Sequence, residues 1–106
     1  MRSSYAKGRA FEYRIKKLYE SAGWFVVRAA GSKGVADLVA IAPGGTPVHF
    51  IQCKAHGTLP GQERERLITV ARTYNATPIL ASRDSRGRAS LYVVRADGLI
   101  AASFPE

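Results

Sequence analysis

The sequence has a single cysteine, Cys53, one tryptophan and one methionine. One thiol excludes an intrachain disulfide framework and a cysteine-built zinc site, so the chain reads as intracellular. No run approaches the ~18 apolar residues of a membrane span. The basic, polar first ten residues are not followed by the apolar segment of a secretion signal. Internal repeats, low-complexity tracts and any composition break that would mark a second domain are lacking too, and the expectation is one domain over residues 1–106. Acids are scarce: 8 Asp and Glu stand against 16 Lys and Arg, a formal charge of +8. What is present is a 46% hydrophobic fraction beside 23% charged residues, enough apolar matter for a core and too much for a disordered basic tail. At this length folding buries only about 60–70% of the unfolded surface, which makes oligomerisation a reasonable way to bury more.

The positive excess is uneven. Through residue 33 there are eight basic residues (Arg2, Lys7, Arg9, Arg14, Lys16, Lys17, Arg28 and Lys33) against Glu12 and Glu20, a net of +6, which leaves +2 for the remaining 73. A basic stretch on a folded domain suits phosphate binding, where each neutralised phosphate releases counterions. A membrane surface fits less well, because the segment lacks the Trp, Phe and Leu-rich face of an interfacial helix.

Apolar residues at Phe11, Ile15, Leu18 and Ala22 recur at the helical period and predict a first helix over Ser4–Ala22, stopped by Gly23. The aromatic and β-branched run Trp24–Ala29 predicts a strand. Gly31-Ser32-Lys33-Gly34 predicts a flexible loop, without the spacing of a phosphate-binding P-loop. A second strand is predicted over Ala36–Ile41 and, after the turn Pro43-Gly44-Gly45-Thr46, a third over Val48–Lys54. Thr58 and Pro60 open a second helix that runs to about Tyr74, with Leu67, Ile68 and Ala71 inward and Asn75 as its C-terminal stop. Strands over Ile79–Ser82 and Ser90–Arg95, joined by the charged hairpin Arg83–Arg88, and a short strand Leu99–Phe104 complete the chain. The order predicts an α/β domain with a mixed central sheet and a helical crossover between the third and fourth strands.

Four chemically capable side chains could converge on that sheet: Glu12 from the first helix, Asp37 from the second strand, and Gln52 and Lys54 from the third. Alternation points Gln52 and Lys54 to one face and Cys53 to the other. Strands joined by a tight turn lie ~4.8 Å apart, so Asp37 is expected beside Gln52 if it shares that face. Two carboxylates and an amide oxygen are a hard-oxygen donor set suited to Mg2+, which is usually held by one or two carboxylates plus substrate phosphate. A lysine at its edge can orient an attacking water and stabilise charge developing on a phosphate.

The segments Gly34-Val35-Ala36-Asp37-Leu38-Val39-Ala40 and Phe50-Ile51-Gln52-Cys53-Lys54 resemble the signature of the restriction-endonuclease-like, PD-(D/E)xK nucleases. More closely, the chain resembles the archaeal Holliday junction resolvases and their viral relatives. That likeness extends from Lys7-Gly8-Arg9-Ala10-Phe11-Glu12 through Val27-Arg28-Ala29-Ala30-Gly31-Ser32 to Gln62-Glu63-Arg64-Glu65-Arg66-Leu67 and Pro78-Ile79-Leu80-Ala81. It implies a restriction-endonuclease-like fold of order α-β-β-β-α-β-β. It also implies a Mg2+-dependent endonuclease, with Mn2+ as substitute and no small-molecule cofactor. Such an enzyme resolves four-way DNA junctions by paired, symmetric phosphodiester hydrolysis as a homodimer. Glu12, Asp37 and position 52 would surround the metal and Lys54 would be the catalytic lysine. Arg28 would sit beside the site, and Ser32 would approach the scissile strand. Arg2, Lys7, Arg9, Arg14, Lys16 and Lys33 would grip the DNA backbone. A compact stand-alone form suits a virus or an archaeon acting inside a cell.

Two positions depart from the family pattern. Ala36 replaces a common proline that offers no ligand. Gln52 replaces the usual glutamate and removes a charge from the metal site. The alternatives are a binding-only relative and a nicking or repair nuclease of the same fold acting on other DNA structures. Other residues read as accessory: His56 could reach a phosphate, His49 is structural, Cys53 is a small core residue, and Tyr5 and Tyr13 could stack on DNA. Arg83, Arg86 and Arg88 could extend the DNA surface.

Overall fold

The structure is a computed structural model that describes residues 4–29, 36–56, 58–103 and 105, with the side chains of residues 4–7 outside the description. Arg2, Ser32, Lys33, Phe104, the Gly31–Gly34 loop and the side chains of Tyr5 and Lys7 therefore lie outside the described residues.

Helix α1 spans Ser4–Ser21. Its buried stripe is Phe11, Ile15 and Tyr19, with Leu18 packed beside it. The sequence periodicity pointed past Tyr19 to Ala22, but the helix has ended by then. Trp24 N–H donates to Tyr19 O at 3.1 Å and Gly23 N–H to Glu20 O at 2.9 Å, while Gly23 takes φ +89°. That pair of bonds is a Schellman stop, and glycine supplies its left-handed residue without a Cβ penalty.

Strands β1 (Phe25–Arg28), β2 (Leu38–Ile41) and β3 (Val48–Lys54) form an antiparallel meander. Helix α2 (Gly61–Thr73) crosses over to β4 (Thr77–Arg83), which pairs parallel to β3. Strands β5 (Ala89–Arg95) and β6 (Gly98–Ala102) follow antiparallel, and the sheet order is β1-β2-β3-β4-β5-β6. The mixed α/β architecture and the crossover agree with the sequence reading. At the end of α2, Asn75 takes φ +56°, with Asn75 N–H on Arg72 O and Ala76 N–H on Ala71 O. Asparagine tolerates this conformation better than most residues.

The helices cover opposite faces of the sheet. Phe11, Ile15 and Tyr19 pack on Val26, Leu38, Ala40, Ile51, Ile79, Ala81 and Leu91. On the other face Leu67 packs on Leu80 and Val94, with Ile68, Phe50 and Tyr92 around them. Strand β3 contributes to both layers: Ile51 and Cys53 face α1, and Phe50 faces α2. Lys54 faces α2 as well, where it meets Glu63. This alternation places the candidate groups on two sides of one strand end.

Candidate active site

Asp37 precedes β2, and its backbone is not a regular continuation of that strand. Leu38 is the register partner of Ile51, yet Asp37 N–H also donates to Ile51 O at 2.8 Å. Two residues opposed to one is bulge geometry, which re-aims a side chain at the end of a ladder. Regular pairing thus starts at Leu38, two residues later than the sequence suggests. The re-aimed carboxylate accepts the Cys53 backbone N–H at Oδ2, 2.8 Å away. Cys53 thereby supplies a main-chain donor that fixes Asp37, a role its side chain does not advertise.

Glu12 reaches the same region from α1. Its Oε1 accepts from Arg28 Nε at 3.1 Å, the two side chains being 19% and 32% exposed. Arg9, Lys16, Arg28, Tyr13 and Leu38 line a cavity of about 110 Å³ with Glu12. Lys54 stands on the other face and pairs with Glu63 at 3.1 Å. Asp37 feels the charges of both half-sites. Burial raises its carboxyl above the ordinary aspartate value and the charge of Glu12 adds to the rise, against the Cys53 N–H bond and the cations Lys54 and Arg28. Glu12, Lys54 and Arg28 are therefore each within electrostatic reach of Asp37. Gln52 is half-buried, one residue before the amide that holds Asp37.

The Cys53 thiol is half-buried against the α1 layer, and burial with the charges of Asp37 and Glu12 pushes it far above its ordinary range. It is an inert core group, as its strand phase suggested. His49 is structural too: its Nδ1 is 2.9 Å from Tyr19 Oη and its ring lies 4.7 Å from that of Trp24. His56 is exposed, with Nε2 3.2 Å from Arg83 Nη2. Of the expected backbone-gripping residues, Arg14 donates to Gly87 O at 2.6 Å, Lys16 pairs with Glu20 at 3.5 Å, and Arg9 is exposed.

A family model for the archaeal Holliday junction resolvase (Hjc) matches residues 3–102. The chain belongs to the archaeal Holliday junction resolvase family. A curated relative, the crossover junction endodeoxyribonuclease Hjc of Methanocaldococcus jannaschii, is 38% identical over 85 residues, covering 76% of this chain and 62% of the relative. The chain thus spans about 62% of the length of that curated relative. The crystal structure of Archaeoglobus fulgidus Hjc, a Holliday junction resolvase from an archaeal hyperthermophile, superposes with a TM-score of 0.70. It shares 26% identity and covers 92% of this chain and 84% of that one. The restriction-endonuclease-like fold expected from the motifs is the fold of this Hjc chain.

Membership of the Hjc family implies a divalent metal, and the donor chemistry fits one. Among the described residues no three His, Cys, Asp or Glu side chains group closely enough to hold an ion by themselves. Two carboxylates that sense each other's charge form a smaller hard-oxygen set. A cation between Glu12 and Asp37 would reverse the repulsion that now opposes the ionisation of Asp37. Glu63 is the functional candidate that sequence reasoning missed, since nothing at its position signals a contact with Lys54 nine residues earlier.

Proposed function

We propose that this Hjc-family chain is an endodeoxyribonuclease that resolves four-way DNA junctions, working with Mg2+ or its substitute Mn2+ as a homodimer inside a cell. We further propose that residues 1–106 act as one nuclease domain. The observation that carries the reading is Asp37, held by the Cys53 amide and feeling the charges of Glu12 on one side of the sheet and Lys54 on the other. Glu12, Asp37 and the Gln52 amide oxygen would hold the ion. When bound, the metal supplies activation of water and neutralisation of phosphate charge.

The protein groups divide the remaining work. The bulge and the Cys53 N–H keep Asp37 at one orientation. Arg28 holds Glu12 and leaves a cation beside the site. Lys54 presents an ammonium where negative charge develops on the phosphate. Arg2, Lys7, Arg9, Arg14, Lys16 and Lys33 contact backbone phosphates, and Ser32 approaches the scissile strand. Selectivity comes from junction shape and charge, because nothing among the described residues resembles a base-reading helix. A two-fold dimer presents two equivalent sites to a two-fold substrate. Exposed Leu99 and Ile100 on the edge strand β6 support association of copies.

The test uses labelled four-way junction, linear duplex and flap DNA, each with and without Mg2+. Paired symmetric cuts in the junction that disappear in Asp37→Ala and Lys54→Ala are expected. Tight junction binding with no cutting under either Mg2+ or Mn2+ would instead assign a binding-only protein, the reading that Gln52 favours.

A further inference from the structure

Lys54 does not project alone. Among the described residues its hydrogen-bond partner is Glu63, whose Oε1 lies 3.1 Å from Nζ. Glu63 sits in the first turn of α2, the helix that leaves the end of β3 and crosses the sheet face toward which Lys54 points. By strand alternation Gln52 points to that face too. The acid of α2 therefore reaches the side of the sheet where the family pattern places a glutamate at position 52 and this chain has a neutral amide.

The pair does little for stability. Lys54 is 26% and Glu63 43% exposed, and an exposed ion pair contributes little to stability. Its effect is on orientation. A lysine ammonium rides on a flexible four-carbon stem, and a fixed counter-charge narrows where it points. A negative charge in a first helical turn is also favoured by the helix dipole, and Glu63 occupies such a turn.

We propose that Glu63 is a positioning residue for Lys54, supplying from α2 the negative charge that this chain lacks at position 52. The proposal rests on the nuclease reading above. It assigns Glu63 no contact with metal or DNA. It requires that Glu63 and a glutamate at position 52 be interchangeable as the anchor of Lys54.

The test uses the full chain and the variants Glu63→Gln, Glu63→Asp, Gln52→Glu and the double variant Glu63→Gln with Gln52→Glu. Single-turnover cleavage of the junction in Mg2+, junction affinity by gel shift and thermal melting are measured for each. Lys54 acetylation by acetic anhydride, read by mass spectrometry without metal or DNA, reports directly on how the ammonium is held. Glu63→Gln should slow cleavage about 10- to 100-fold, the scale of a small misplacement of a reacting group. Affinity and melting should not change, and Lys54 should acetylate several-fold faster. Glu63→Asp should retain most of the rate, and Gln52→Glu should restore rate and protection in the double variant. Unchanged cleavage and labelling in Glu63→Gln would overturn the proposal, as would a loss that Gln52→Glu does not rescue. If the unaltered chain fails to cut, the nuclease reading falls, while the labelling still decides whether Glu63 holds Lys54.

Discussion

Asp37 and His49 both carry a penalty from burial, with opposite consequences for stability. Asp37 has its carboxyl raised above 3.8 by burial and the nearby Glu12 charge, so ionising it costs more in the folded chain than in the unfolded one. The stability it withdraws is withdrawn as pH rises from the unfolded-state value through the raised folded-state pKa. Asp37→Asn keeps an oxygen for the Cys53 N–H and removes the charge. We therefore expect it to raise the Tm of metal-free protein at neutral pH while abolishing cleavage, a trade of activity for stability measurable by calorimetry. His49 runs the other way. Burial lowers its pKa below 6.5, so its contribution is complete above 6.5 and drains as pH falls through that value toward the folded-state pKa. The urea midpoint should drop between about pH 7.5 and pH 5.5. His49→Gln can still meet Tyr19 and should flatten that part of the profile; an equally steep profile in the variant would remove His49 as its source.

Element by element, the parts of the molecule differ in how far they could be read from sequence. Hydrophobic periodicity locates α1, the flanking start and stop residues locate α2, and the Pro43–Thr46 turn locates the start of β3, while strand alternation reports which face each β3 side chain takes. The same alternation put Cys53 opposite Lys54, as observed. Where local geometry departs from regularity, the sequence was silent. The bulge at Asp37 and the anchoring amide of Cys53 depend on how β2 meets β3. The Arg28–Glu12 and Lys54–Glu63 pairs join residues 16 and 9 positions apart that no pattern connects. Helix ends were legible wherever one residue type was required, as at Gly23 and Asn75. That requirement yields a graded expectation: Asn75→Gly should be close to neutral, and Asn75→Ala should cost about 1 kcal/mol because alanine resists the left-handed conformation. In the packed part of the same helix, Leu67→Ala should cost about 2–5 kcal/mol, since the side chain is fully buried between α2 and the sheet. Chemical denaturation at neutral pH resolves these magnitudes.

For the molecule as a whole, the net charge of +8 matters through where it is carried. Parallel pairing aligns His49 of β3 with Thr77 of β4 at one end of the sheet and Lys54 with Ser82 at the other. Arg95, at the close of β5 beyond the Val93–Ile79 pair, lies at the Thr77 end, away from Lys54. There it lines a shallow pocket of about 480 Å³ with Arg72 and Asp97. Lys16, by contrast, lines the small cavity beside Glu12. If junction DNA lies across the Asp37 end, the two cations must differ in salt response even though each carries one charge. Every phosphate neutralised contributes about −0.9 to the slope of log K against log [salt] for duplex DNA. Lys16→Ala should therefore weaken binding for all junction sequences alike and reduce the slope by about one per contacting site. Arg95→Ala should leave the slope unchanged, its effect limited to the small loss of long-range attraction that added salt screens. If two copies of the chain engage one junction as proposed, the first effect doubles, and titrations across a range of protein concentration should give slopes that differ for Lys16→Ala relative to the unaltered chain. Equal slopes for both variants would mean that DNA is gripped by diffuse charge and that the cavity beside Glu12 does not define its path.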